Sequence, residues 1–110
     1  MKLPDGANCF IEPRKLLDYA INFEHDDGKH KAALFRDLLG ITTDTVDRLV
    51  GALRIAAAEG EATVGRSDRY GQRYQIDFNF SGLTGSAVVR SVWIVGERET
   101  VPRLVTCYIL

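Results

Sequence analysis

A chain of 110 residues is the size of one ordinary domain, and its 45% hydrophobic and 26% charged residues are typical of a globular protein rather than a disordered one. The formal net charge of −1 argues against a surface coated in positive charge for nonspecific nucleic-acid binding, but it leaves room for a local basic cleft. No apolar run approaches the roughly 18 residues of a membrane span, and Pro4 and Gly6 interrupt the start of the chain, so a cytoplasmic location without membrane contact is expected.

The first half of the chain predicts three helices, because its apolar residues recur at the spacing of one helix face. The first helix begins at Pro13, whose missing N–H costs nothing in a first turn, and Gly40 ends the second in the left-handed conformation. Thr42 or Thr43 caps the third helix. The expected ranges are an extended segment at 7–11, helices at about 13–22 and 29–39, a loop at 23–28, and a third helix that ends at Gly60.

After Gly60 the apolar period changes to two, which predicts strands. Residues 72–80 alternate polar and apolar side chains, as in a strand with one buried and one solvated face. Residues 87–95 are apolar on nearly both faces and therefore indicate a central strand. The expected strands cover residues 61–65, 72–80, 87–95 and 102–108, with a hairpin loop at 81–86 and a turn at 96–100.

These elements predict a single α+β domain over residues 1–110, with about three N-terminal helices packed on one face of a four-stranded antiparallel β-meander. The other face of the sheet is then the natural place for a site. Cys9 and Cys107 lie near opposite ends of the chain among apolar neighbours and match no metal-ligand spacing. Two buried reduced thiols are therefore expected, with a disulfide between the first and last strands as the alternative.

Both histidines lie close together in the segment from His25 to Lys31, where a loop runs into the second helix. Imidazole titrates near neutral pH, so His25 and His30 are candidates for a general acid/base pair assisted by Lys31. A metal site built from His25, Asp26 and His30 has too few ligands to be favoured, and no metal is expected. The alternative is a solvated loop in which Asp26 or Asp27 caps the second helix.

A second candidate cluster surrounds Gly71 at a turn between strands. Residues 61–110 contain six arginines and no lysine, and Arg69 and Arg73 stand here beside Tyr70 and Tyr74. Arginine interleaved with aromatic residues is a pattern that holds phosphates while stacking bases. The alternative is a polar hairpin with tyrosines at its base.

Two polar residues interrupt otherwise apolar strands, Arg90 and Thr106. An arginine in a central strand needs a partner or a ligand, because an unpaired buried charge is costly. Asp77 on the neighbouring strand is the candidate partner. The alternatives are therefore a structural ion pair and a ligand-binding arginine.

Together these residue types suit metal-independent cleavage of RNA. That reaction needs a base for the ribose 2′-hydroxyl proton, an acid for the leaving 5′-oxygen, and cations that offset charge on the phosphate. It requires no cofactor.

Several stretches spread over nearly the whole chain resemble a bacterial domain-of-unknown-function family. They are Pro13-Arg14-Lys15-Leu16 with Tyr19, residues 25–28, His30-Lys31-Ala32 with Phe35, Leu39-Gly40, residues 70–74, Trp93-Ile94 and Pro102-Arg103-Leu104-Val105-Thr106. Members of the family resemble domains at the C-termini of contact-dependent or phage-associated toxins, and also occur as stand-alone proteins. The order of helices followed by a meander is similar to the barnase, endoribonuclease U, colicin and RelE-like ribonuclease fold.

The resemblance implies a toxin-like ribonuclease that acts on RNA. The candidate catalytic residues are His25, His30, Lys31, Arg73, Arg90 and Thr106, and the candidate substrate-binding residues are Arg69, Tyr70, Tyr74 and Arg103. One departure is the slightly acidic charge, since the typical ribonuclease toxin is basic. The first alternative is a noncatalytic module that binds a protein such as a cognate antitoxin or immunity protein. The second is an enzyme acting on a phosphorylated nucleotide or metabolite.

Overall fold

The computed structural model describes residues 1–12, 16 and 35–110. The predicted first helix, except for Leu16, falls outside these ranges, as do the loop at 23–28 and residues 29–34 of the predicted second helix. Leu16 and residues 35–39 are helical. The complete elements are a helix, α1, and four strands, β1 to β4. Their bounds are Val46–Glu59 for α1, Ala62–Asp68 for β1, Gly71–Ser81 for β2, Ser86–Val95 for β3 and Arg103–Ile109 for β4.

The four strands form one antiparallel sheet in the order β1-β2-β3-β4, which confirms the predicted α+β class and the predicted meander. The number of helices was predicted as three, and the described residues contain one complete helix, the end of a second and one helical residue, Leu16, within the range predicted for the first. No helix in the described ranges combines the length and the apolar character needed to cross a membrane.

The prediction that the second helix ends at Gly40 is confirmed. Gly40 has a φ of 69°, in the left-handed region that glycine adopts without steric cost. Its N–H donates to the carbonyl of Arg36 at 3.0 Å, and the N–H of Ile41 donates to the carbonyl of Phe35 at 3.0 Å. Both bonds satisfy carbonyl groups at the end of the helix, and the bond from Gly40 to Arg36 is that of the αL motif.

Helix α1 begins at Val46, later than the predicted cap at Thr42 or Thr43. The difference follows from local hydrogen bonds. The Thr45 hydroxyl donates to the Gly40 carbonyl at 2.9 Å and accepts from the Thr42 N–H at 2.9 Å. These bonds hold residues 42–45 in a turn, so helical hydrogen bonding starts after Thr45.

The core lies between α1 and one face of the sheet. The helix buries Leu49, Leu53, Ala56 and Ala57. The opposing sheet residues include Ile76, Phe80, Val89, Trp93 and Cys107, all of them buried. The polar groups of Trp93 and Ser91 in this core are both hydrogen-bonded. The Trp93 indole N–H donates to the Ser91 hydroxyl at 2.9 Å, and that hydroxyl donates to the Ile76 carbonyl at 2.8 Å.

The N-terminal segment forms a bridge between Lys2 and Glu61, next to β1, and then passes beside β4. It contains a 3-10 turn at Gly6–Asn8 where an extended segment was predicted, and becomes extended after it. Phe10 forms a parallel bridge with Arg103. Cys9 and Cys107 are both buried, and no disulfide joins them, which confirms the prediction of two buried reduced thiols. Burial raises the pKa of the Cys9 thiol above its usual value.

Candidate functional site

The second face of the sheet carries most of the predicted site residues in β2, β3 and β4. Ser91 and Trp93 are buried in the core. Since side chains alternate along a strand, Arg90 points to the other side of β3, and the pairing register extends this assignment to the neighbouring strands. We call this second side the polar face. Its polar residues are Arg73, Gln75, Asp77 and Asn79 of β2, Arg90 of β3, and Arg103, Thr106 and Tyr108 of β4.

Arg90 is held in place by residues from both neighbouring strands, β2 and β4. Asp77, directly opposite in β2, accepts from Nε at 2.9 Å and from Nη2 at 3.0 Å, in a bidentate pair. With its amide oxygen turned toward Arg90, Gln75 also accepts from Nε at 3.1 Å and from Nη2 at 3.3 Å. Tyr108 lies opposite Arg90 in β4. The predicted partnership between Asp77 and Arg90 is therefore present.

These contacts fix both the charge and the orientation of the guanidinium. Hydrogen bonding to Asp77, with a smaller contribution from Tyr108, raises the pKa of Arg90 above its already high value. The Arg90 side chain keeps 30% of its surface exposed, and that of Asp77 keeps 35%. Arg90 is thus a permanently charged donor group whose orientation is set by its neighbours while part of it faces solvent.

Arg73 lies on the same face and is connected to the β1–β2 turn. Its Nη1 donates to Oδ2 of Asp68 at 2.9 Å, and Nε of Arg66 lies 3.5 Å from the same oxygen. The other oxygen of Asp68 accepts from the Tyr70 N–H at 2.9 Å. That backbone bond, together with the two arginines, lowers the pKa of Asp68 below its usual value. Asp68 therefore joins the turn to the polar face.

The turn itself presents an exposed arginine and tyrosine. The Arg69 guanidinium lies 4.9 Å from the centre of the Tyr70 ring, and its Nη2 donates to the Tyr70 hydroxyl at 2.8 Å. The turn depends on Gly71, which has a φ of 134° and whose added Cβ would lie 2.1 Å from the Val95 carbonyl oxygen. Tyr70 is 59% exposed, so its ring is available to a partner.

The pairing register also determines where Arg103 and Thr106 lie relative to Arg73 and Arg90. Arg73 and Arg103 both lie opposite Ile94, one on each side of it, so their backbones are about 10 Å apart. Thr106 lies opposite Val92, midway along β3 between Ile94 and Arg90. Along β3, the position of Ile94, which Arg73 and Arg103 flank, lies about 13 Å from the position of Arg90. This spacing suits several positions on an extended polyanion.

Not every predicted residue reaches this face. Tyr74 lies opposite Trp93 on the core side of the sheet, so it is separated from Arg73 and Arg90 by the sheet itself. His25, His30 and Lys31 lie outside the described residues, and their roles stay predictions.

Sequence reasoning missed three residues that position the predicted arginines. Gln75 and Tyr108 contact Arg90, and Asp68 contacts Arg73. The position of Gln75 was indicated by the sequence, because Gln75 is two residues from Asp77 and therefore lies on the same face of the strand. The position of Tyr108 was not, since its placement opposite Arg90 depends on an irregularity in the pairing of β3 and β4.

The chain belongs to a protein family that is described as Domain of unknown function (DUF6883), which matches residues 2–110. Its fold is similar to that of a chain in a contact-dependent growth inhibition toxin - immunity protein complex from Klebsiella pneumoniae 342, with a TM-score of 0.72 and 21% identity over 96% of each chain. No curated protein matches the chain. At this identity the similarity establishes a shared fold.

Proposed function

We propose that the protein is a toxin-like, metal-independent ribonuclease whose substrate lies on the polar face. The observation that carries the proposal is the placement of Arg73, Arg90 and Thr106, three of the predicted catalytic residues, on one side of one sheet. Arginine donors at fixed positions suit the phosphates of an RNA backbone. The similarity in fold to a chain from a toxin–immunity complex supports the toxin-like part of the proposal.

The proposed reaction is transesterification followed by release of the downstream RNA. His25 or His30 takes the proton of the ribose 2′-hydroxyl, whose oxygen attacks the neighbouring phosphorus. The bond from phosphorus to the 5′-oxygen breaks, and an acid, the other histidine in the simplest scheme, gives that oxygen a proton. The products are a 2′,3′-cyclic phosphate and a 5′-hydroxyl.

The cationic and hydroxyl groups would stabilise the charge that builds on the phosphate. Arg90 is suited to this role because Asp77 and Gln75 fix its orientation before substrate arrives, so little reorganisation is needed. Lys31 and Arg73 would add positive charge, and Thr106 would orient a phosphate oxygen. Tyr70 would stack a base beside Arg69, and Arg103 would hold a flanking phosphate.

The test is incubation of the purified chain with total tRNA in the presence of EDTA. We expect fragments that end in a 2′,3′-cyclic phosphate. The double variant His25→Ala, His30→Ala should cleave at least about 100-fold more slowly, because general acid–base catalysis contributes that much or more. Lys29→Ala, in the same segment, is the matched control and should keep full activity. Absence of cleavage at any metal concentration, or cleavage only with a divalent metal, would contradict the proposal.

A second candidate function is noncatalytic binding of a protein partner, and the ion pairs favour it. Asp68 and Asp77 partly neutralise Arg73 and Arg90, and Glu99 lies 3.8 Å from Arg103. The exposed pair formed by Arg69 and Tyr70 has the composition of an interface anchor. Under this alternative, no RNA is cleaved and the affinity for a protein falls when the pair is removed.

A further inference from the structure

A groove runs between helix α1 and the edge of strand β2, on the side of the sheet away from the polar face. Two cavities of about 340 and 520 Å³ lie along it. Both are lined by Ala52, Ile55 and Asn79, so they form one continuous feature. We call it the α1–β2 groove.

One wall of the groove is an unpaired strand edge. Strand β1 pairs with β2 only as far as Ile76, and beyond it the described residues place no strand on that side of β2. The Ile76 carbonyl points toward β3, where it accepts from Ser91. Because backbone groups alternate in direction along a strand, the N–H and C=O groups of Asn79 and Ser81 point to the free edge.

The opposite wall is apolar and open. Ile55 of α1 is 62% exposed, and small residues beside it leave room for side chains from another molecule. Phe78 of β2 lines the same cavity. The added strand of a partner would place alternate side chains here, where apolar residues would be removed from water. A free edge beside an apolar cavity is therefore suited to an extended peptide rather than to a helix.

The charged residues at the two ends of the α1–β2 groove indicate which charge a partner would carry. Asp47 and Arg48 stand together at one end of the groove and offset each other, while Glu59 stands at the other end. The last turn of α1 contains no basic residue. Lys2 donates to the backbone carbonyl of Glu59, and no ion pair to the Glu59 carboxylate is present within the described ranges. A partner that carries a lysine or arginine at this end would complement the groove.

We infer that the α1–β2 groove binds an extended segment of another protein. The segment adds a strand to β2 through the backbone groups of Asn79 and Ser81. It places an apolar side chain against Ile55 and Phe78 and directs a basic residue to Glu59. A second copy of the chain is a poorer occupant. Its own free edge, residues 77–81, has Asp77 and no basic residue to oppose Glu59. The inference does not depend on RNA cleavage, since the groove shares with the polar face Asn79 at the strand edge but none of the proposed catalytic residues.

The test begins with a phage-displayed library of random decapeptides, selected on the immobilised wild-type chain and counter-selected on an Ile55→Arg variant. Ile55 is largely exposed, so this variant should fold. We expect apolar peptides of β-forming residues with a lysine or arginine near one end. In solution Ile55→Arg should lower the affinity for the enriched peptides at least tenfold, and Glu59→Lys should lower the affinity for those peptides that carry a basic residue. Val64→Arg is the matched control, because Val64 is 54% exposed on β1 and lies away from the groove.

Amide hydrogen exchange by NMR then locates the bound peptide. Slower exchange at Asn79 and Ser81 is the expected result, because a paired strand protects these groups. Three results would overturn the inference. They are failure to enrich any peptide that Ile55→Arg rejects, binding that shifts resonances around Val64 instead, and a wild-type dimer that Ile55→Arg converts to a monomer.

Discussion

Arg90→Lys is expected to lower RNA cleavage about 100-fold while the chain stays folded, because removing one fixed donor to a developing charge typically costs that much or more. Lysine keeps the positive charge but cannot form the bidentate pair with Asp77, so its ammonium group would lose its fixed orientation. The measurement is the initial rate of tRNA cleavage, with a thermal scan of the same sample.

The matched control for this change is Arg98→Lys, at an exposed position in the turn between β3 and β4. It should leave the rate unchanged. If Arg90→Lys also left the rate unchanged, Arg90 would have no role in the reaction. If instead it unfolded the chain, the pair with Asp77 would be a structural element rather than part of a site.

Trp93→Ala is expected to have the largest effect on stability, lowering the free energy of unfolding by about 3–5 kcal/mol, as large-to-small substitutions of buried aromatic residues do. The Trp93 side chain is fully buried, and the change would leave a cavity between the sheet and α1. That loss is a large share of the roughly 5–15 kcal/mol that stabilises a typical domain. Urea unfolding followed by circular dichroism measures it.

A second variant separates packing from hydrogen bonding in this core. Ser91→Ala removes the acceptor of the Trp93 N–H but keeps the ring in place, so the expected loss is only about 1–3 kcal/mol. Equal losses for the two variants would mean that the hydrogen bond, rather than the volume of the indole, accounts for the stability.

The β2–β3 half of the site could be predicted from sequence, because a hairpin fixes its own register. The strict alternation of residues 72–80 gave both the strand and the face of each side chain. Pairing outward from the short loop after Ser81 places Asp77 opposite Arg90, as observed. A salt bridge across the strands then follows from two residues of opposite charge.

The β4 half could not be predicted in the same way. The register of β3 and β4 shifts between Val92 and Trp93. Without that shift, continued pairing from Arg103 would place Thr106 opposite Ser91, on the core side of the sheet. The irregularity moves Thr106 to the polar face, because a shift of one residue exchanges the two faces of a strand. Neither composition nor alternation indicates such a shift.

Helix boundaries show the same contrast between local and longer-range causes. Gly40 was predicted as the end of its helix because only glycine adopts a positive φ there readily. The cap of α1 was predicted two or three residues too early, since several threonines compete as caps. The choice among them is made by the bond from Thr45 to the Gly40 carbonyl, which depends on how the preceding helix ends.

The most direct test of the central claim is an NMR titration of the chain with a short RNA in which every 2′-hydroxyl is methylated, so that it binds but is not cleaved. We predict chemical-shift changes at Arg73, Arg90 and Thr106, with the resonances of α1 unchanged. Shifts confined to α1 or the N-terminal segment, or no shift at saturating RNA in low salt, would contradict the assignment of the polar face as an RNA-binding site.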